Sequence, residues 1–246
     1  SSGAGSVPGG VLIDPYIKFA HGKAKIFSSG VNFDEFQTLN NGSYTISTDS
    51  DTLTELEDTA LIEVVFTKLS GLDISTGKAA PSINLSNIVT YDTFKTSTKE
   101  LVVSPMTNVV KLVMEKKKEN NEVAVTKEDL EEARTTTAVA FDFNVADLDV
   151  NFVKETNIKL LTVANSLEMT ATSLVSGVSA LTGIESNIAP TTEDVYKVIA
   201  DKILEKEDST SAVLDFSKSE EVESIISQVI TKVVEDVPEA IKTTVT

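Results

Sequence analysis

The chain has 246 residues, with 21 Lys and Arg against 38 Asp and Glu, and a formal net charge of −17. That balance argues against sequence-independent nucleic-acid binding, which needs basic patches to neutralise phosphate, and against anionic lipid surfaces. With no cysteine and a single histidine, His21, the chain has no disulfide, thiolate nucleophile, Cys-ligated zinc or multi-histidine metal site.

Hydrophobic residues make up 41% of the chain, enough to bury a core. No stretch approaches the roughly 20 apolar residues of a membrane span, and no signal peptide is visible. The opening Ser1-Ser2-Gly3-Ala4 reads as a processed or trimmed N-terminus. Residues 1–10 are small and unpatterned and read as a flexible arm. From 11 to about 103 short β-branched and aromatic runs recur. They are Val11–Ile13, Tyr16–Phe19, Ala24–Phe27, Ser43–Ser47, Leu61–Phe66, Ile83–Leu85, Ile88–Tyr91 and Leu101–Val103. Turn signals separate them at His21-Gly22, Ser29-Gly30, Asn40-Asn41-Gly42, Ser70-Gly71 and Gly77-Lys78.

At Ser104-Pro105 the pattern changes, because Ser is a favoured N-cap and Pro a favoured first helical residue. Met106, Val109, Val110 and Val113 then form one helical face, ending in the charged run Glu115–Glu119. Thr126 with Asp129 opens a second helix in capping-box style. Leu160, Val163, Ala164, Leu167, Ala171 and Leu174 mark a third at near-heptad spacing. Thr191 and Asp194 cap a fourth, with Val195, Val198, Ile199 and Ile203 on one face. Ser217 and Glu220 cap a fifth, whose wide stripe from Val222 to Val234 is suited to a core or to a partner subunit, with Pro238 as its stop. The tail Ile241–Thr246 is β-prone. The expected class is α+β. An N-terminal antiparallel β-sandwich of about seven strands over 11–103 is followed by a C-terminal array of about four or five helices over 104–246.

Two acidic clusters invite a cation. Asp142, Asn144, Asp147 and Asp149 alternate along a loop between helices, and Asp49 and Asp51 sit in a turn after a strand. Such spacing offers oxygen ligands to calcium, although the EF-hand glycine and terminal glutamate are missing. The lone His21 reads as a turn residue and Lys116-Lys117-Lys118 as a solvated helix end. Asn41-Gly42-Ser43 and Asn84-Leu85-Ser86 fit the N-glycosylation signal.

The segments Val11-Leu12-Ile13-Asp14-Pro15-Tyr16-Ile17, Ala24-Lys25-Ile26-Phe27, Asn41-Gly42-Ser43-Tyr44, Ser70-Gly71-Leu72-Asp73-Ile74-Ser75-Thr76-Gly77 and Val103-Ser104-Pro105-Met106-Thr107 carry a resemblance. Together they resemble prokaryotic secreted and surface proteins that open with a prealbumin-like, carboxypeptidase-regulatory-like β-sandwich and continue into helices. The resemblance covers the β half and the junction. It departs from the group at Ser28–Glu35, where only Asn32, Asp34 and Glu35 remain of an Asp/Asn-rich loop. It implies an extracellular place and a non-catalytic role in adhesion, surface structure or assembly.

The leading expectation is therefore a secreted structural protein that self-assembles into a filament or surface layer. Its partners would be further copies of itself or other surface proteins. Val11, Leu12, Ile13, Tyr16 and Ile17 would carry assembly, as an extended segment added to a neighbour's sheet. A monomeric polysaccharide-binding or adhesion module is the alternative, using Tyr16, Tyr44 or Tyr91 in a chain with no tryptophan. An enzyme is the third reading, and no catalytic pair stands out among the acids.

Overall fold

A computed structural model describes residues 8–14, 17–67, 72–73, 84–182, 191–207, 213–216 and 218–235, and in them the chain is an α+β protein. The strands are β1 (Gly9–Leu12), β2 (Ile17–Lys18), β3 (His21–Ile26), β4 (Asn32–Gln37), β5 (Ser43–Thr45), β6 (Leu61–Phe66), β7 (Leu72–Asp73), β8 (Leu85–Thr90) and β9 (Leu101–Val103). The helices are α1 (Tyr91–Thr96), α2 (Pro105–Asn120), α3 (Lys127–Ala140), α4 (Ile158–Thr182), α5 (Thr192–Glu205) and α6 (Ser219–Glu235). Tyr16, Ser217, Pro238, the tail from Ile241 and the turns at Ser70-Gly71 and Gly77-Lys78 lie outside the described residues.

β1 is the centre of a three-stranded sheet. It pairs antiparallel with β5 and parallel with β9. The ladder continues past the strand ends: Ile46 N donates to Pro8 O at 2.8 Å, Leu12 N to Gly42 O at 3.0 Å and Ile13 N to Val103 O at 2.9 Å. A second, antiparallel sheet runs β4-β3-β6-β8, and β2 pairs with β7 in a short ribbon. Gly9 and Gly10, expected in the arm, are strand.

β6 explains the layering. All six of its residues are buried, as a near-continuous apolar strand covered on both faces must be. Successive side chains point to opposite faces. On one face Phe66 meets Tyr44 of β5, ring centroids 5.3 Å apart, and Phe36 of β4 joins them at 5.2 Å from Tyr44. On the other, Glu63 reaches Lys111 of α2. The four-stranded sheet thus lies between the β1 sheet and the helices.

The aromatic cluster sits where the backbone has no side chains. A Cβ on Gly22 would strike the rings of Phe36 and Phe66, and one on Gly10 would strike the Leu101 carbonyl and the Tyr44 ring. Tyr44 Oη donates to Leu101 O at 2.7 Å. Burial, helped by Glu100, pushes the Tyr44 phenol well above its ordinary pKa.

α2 starts as its sequence demands. Ser104 N donates to Thr107 Oγ1 at 2.9 Å and Thr107 N donates to Ser104 Oγ at 3.4 Å, with Pro105 at the first helical position. The same region closes the gap between β8 and β9. Thr107 Oγ1 donates to Ser86 O at 2.7 Å, and Asn87 Nδ2 donates to Val102 O at 2.8 Å. α2 is buried beyond the expected face: Asn108, Lys111, Leu112 and Met114 are covered as well, because α2 packs on β8, β9, α3, α4 and α5 together. One hydrophobic cluster runs from Val11 to Val229, so the change from strand to helix at Ser104 falls inside a continuous core.

The capping boxes at Thr126 and Thr191 form as their spacing requires. The α4 stripe of Leu160, Ala164, Leu167, Ala171 and Leu174 is buried. In α6, Ile225 and Val229 are buried, and Val222 and Ile226 pack half-buried on the core. Three local readings need correction. β4 falls in a stretch expected to be loop. Tyr91 begins a helix capped by Thr90 instead of ending a strand. His21 is the exposed first residue of β3, opposite Gln37, and not a turn.

Candidate functional site

The segment expected to carry assembly is well defined in the β half. Val11, Leu12, Ile13 and Ile17 are 2% exposed or less; Tyr16 lies outside the described residues. Burying such side chains stabilises the fold by about 1.5–3 kcal/mol each. Val11, Leu12 and Ile13 occupy a slot between β5 and β9, and neither of those strands pairs with another strand among the described residues; Ile17 lies apart from them in β2, opposite Asp73 of β7. The slot is lined by Tyr44 and by strands far apart in sequence, 43–45 and 101–103. Gly10 is what lets β1 pass beneath Tyr44.

The outer side of β5 is already answered locally. Ser43 N donates to Asn41 Oδ1 at 3.1 Å, Leu39 N donates to Ser43 O at 2.7 Å, and Ser47 N donates to Asp34 Oδ2 at 2.7 Å. The outer strand β4 carries Asn32, Asp34, Glu35 and Gln37, a charged edge of the kind that discourages pairing. The sheet margins are therefore guarded, and the apolar pairing surface is the internal slot.

The carboxylates of Asp142, Asp147 and Asp149, three of the expected calcium ligands, have other partners. Asp149 Oδ2 accepts from Arg134 Nη2 at 2.7 Å. Asp147 Oδ2 accepts from Asn144 N at 3.0 Å, capping the 3-10 turn Val145–Asp149. Asp142, at φ 57°, lies 3.5 Å from Lys159 Nζ. Asp51 opens the 3-10 turn Asp51–Leu53, and Asp49 N donates to Ser47 Oγ at 3.4 Å. Among the described residues no group of three or more acidic or histidine side chains is placed to hold a metal ion. In the cluster from Asp142 to Asp149 the physical reason is competition: Arg134, Lys159 and the backbone N–H of Asn144 take the carboxylates that would have to converge. Millimolar calcium is accordingly expected to shift the melting temperature by no more than about 1 °C, since binding weaker than the ligand concentration adds only tenths of a kcal/mol. A rise of several degrees, lost in Asp142→Asn with Asp149→Asn, would restore the ion.

The lysine run at the end of α2 is structural. Lys116 pairs with Asp201 of α5 at 3.5 Å. Lys117 bridges Glu132 of α3 at 3.1 Å and Glu207 beyond α5 at 2.8 Å. Lys118 donates to Phe27 O at 3.0 Å and lies over the Phe27 ring. Burial pulls the Lys117 ammonium down, but its hydrogen bonds to Glu207 and Glu132 outweigh that and leave it above its ordinary pKa. The sequence showed a solvated cationic end; the structure shows consecutive residues tying α2 to α3, α5 and the turn after β3.

Deeper in, Tyr196 of α5 is fully buried. Burial, then the Glu168 and Asp14 carboxylates, hold its hydroxyl well above the ordinary pKa. Of the tyrosines offered for stacking on a sugar, Tyr44 is buried, while Tyr91 stacks on Phe94 beneath Lys95. No helix among the described residues is long and apolar enough to cross a membrane. No protein-family model, curated protein or solved structure matches this chain.

Proposed function

We propose that this is a secreted, non-catalytic structural protein that self-assembles into an extracellular filament or surface layer, with residues 8–14 of one copy entering the sheet of the next. The observation that supports this reading is the position of β1: the first described strand fills the centre of a sheet whose two flanks have no other strand partner among the described residues. In a single copy the slot is filled from within. The same hydrogen bonds and the same buried side chains are available to β1 of a neighbour, which makes exchange a low-cost route to association. Such a contact is head-to-tail and propagates when its rotation does not close. On the same reading, β5-β1-β9 and β4-β3-β6-β8 are the faces of a sandwich, antiparallel except where β1 pairs in parallel with β9, that precedes and is covered by the helical array.

The cysteine-free chain allows a direct test. Val11 and Val102 are Cα partners across β1 and β9, and adjacent strands lie within disulfide reach. Val11→Cys and Val102→Cys chains are refolded together, oxidised, and viewed on a non-reducing gel and by electron microscopy. Disulfide-linked pairs within filaments or sheets are expected. Dispersed particles without intermolecular bonds, alongside an intramolecular bond in the doubly substituted chain, would overturn the proposal.

A further inference from the structure

We infer that Asn41 carries an N-linked glycan and that Asn84, with the same three-residue signal, does not; the inference rests on the secreted reading above. Asn41 is exposed at the tip of the turn between β4 and β5. Gly42, at φ 79°, makes that turn and donates its N–H to Leu39 O at 3.0 Å. Ser43 N and Ser43 Oγ both donate to Asn41 Oδ1, at 3.1 and 2.5 Å. The carbonyl side of the amide is thereby held against the chain, and Nδ2 has no partner among the described residues. The residue that accepts the sugar is exposed, and the hydroxyl residue that completes the signal is half-buried, in contrast to the wholly buried Ser86.

Asn84 presents the opposite case. Its Nδ2 donates to Glu193 Oε2 at 2.8 Å, at the start of α5. Ser86, the hydroxyl residue of its signal, is 0% exposed within β8. A glycan on Asn84 would displace α5, whereas one on Asn41 projects into solvent beside β5. There it would also screen the adjoining sheet margin from unwanted pairing.

The transfer is a substitution at the anomeric carbon of a polyprenyl-diphosphate-linked glycan, the co-reactant. Asn41 Nδ2 forms the new C1–N bond as the C1–O bond to phosphate breaks. The polyprenyl diphosphate departs with that electron pair, and one Nδ2 proton passes to a base of the transferase. No oxidation or reduction takes place.

Trypsin separates the two signals, because cleavage after Lys25 and Lys68 isolates 26–68 and cleavage after Lys78 and Lys95 isolates 79–95. The protein is recovered from its native producer after cell fractionation, and both peptides are measured by mass spectrometry. The expected result is a glycan mass on 26–68, wholly lost in Asn41→Gln, with 79–95 at its sequence mass. Extracellular protein with Asn41 bare would overturn the inference while leaving the structural role intact. A glycan on Asn84 would overturn the distinction between the two asparagines. Unmodified protein confined to the cytoplasm would overturn both this inference and the secreted reading.

Discussion

Replacing Gly10 with valine is expected to destabilise the protein by about 3 kcal/mol or more, the upper end of what overpacking a core produces. Intrinsic preference points the other way, because valine favours strands and glycine weakens them. Sterics decide the sign. A Cβ at position 10 meets a backbone carbonyl, Leu101 O, on one side and the Tyr44 ring on the other. Neither can yield cheaply. Leu101 belongs to β9 and is paired with β1 itself. Tyr44 is packed against Phe36 and Phe66 and donates its hydroxyl to that same Leu101 carbonyl. The contrast is Gly177 in α4, where an added Cβ meets nothing within 4 Å. Gly177→Ala should stabilise by about 0.5–1 kcal/mol, since a helical glycine loses more chain entropy on folding than alanine. Urea unfolding of the two variants checks both. Equal effects would mean that the β1 slot is softer than its geometry implies. Because an incoming β1 would meet the same obstruction, Gly10→Val is also expected to abolish assembly, and Gly177→Ala to leave it intact.

What could be read from the sequence divides along the range of the interactions. The switch from strands to helices at Ser104-Pro105 was legible because capping acts over three residues, and the boxes at Thr126 and Thr191 were legible for the same reason. The α4 stripe was legible from its spacing. β4 was not, because Asn32-Phe33-Asp34-Glu35-Phe36-Gln37 is an edge strand whose charges disguise its alternation. The calcium reading failed to find support because alternating aspartates make a cage only if their carboxylates converge, and the partner of Asp149 is Arg134, on a preceding helix. The role of Lys116, Lys117 and Lys118 was hidden because their partners lie in α3, α5 and the turn after β3. From its sequence β1 reads only as a strand suited to a sheet edge. Its second flank, β9, pairs in parallel from about ninety residues away, and parallel pairing carries no local turn signal. Glu63 is a local sign of the layering: one charge inside the apolar run Leu61–Phe66, in a strand buried throughout, marks a second covered face.

That charge sets the other large expectation. Lys111→Met should cost about 3–5 kcal/mol at pH 7, the usual penalty for stranding a buried charge, while Glu63→Gln should stay within about 1 kcal/mol of the parent. Glu63 is 6% exposed and Lys111 8%. Their charged atoms are 3.9 Å apart, whereas Lys111 lies 2.8 Å from Glu115. Removing the Glu63 charge therefore leaves Lys111 with its nearer partner. Removing Lys111 leaves Glu63 buried with Lys25 and Lys118 as more weakly acting cations. Burial pushes the Glu63 carboxyl above its ordinary pKa even though Lys111 pulls it back. A carboxyl raised in this way binds its proton more tightly when folded. Its contribution is complete below the ordinary value and is lost as the pH climbs through the raised one. The stability of the parent relative to Glu63→Gln should thus fall from acid to neutral pH. The penalty of Lys111→Met should grow over the same interval, because the ammonium matters most once the carboxyl ionises. Urea titrations at pH 4 and pH 7 separate this from simple packing. A Lys111→Met penalty equal at both would mean that the pairing of the ammonium with the ionised Glu63 carboxylate does not set it.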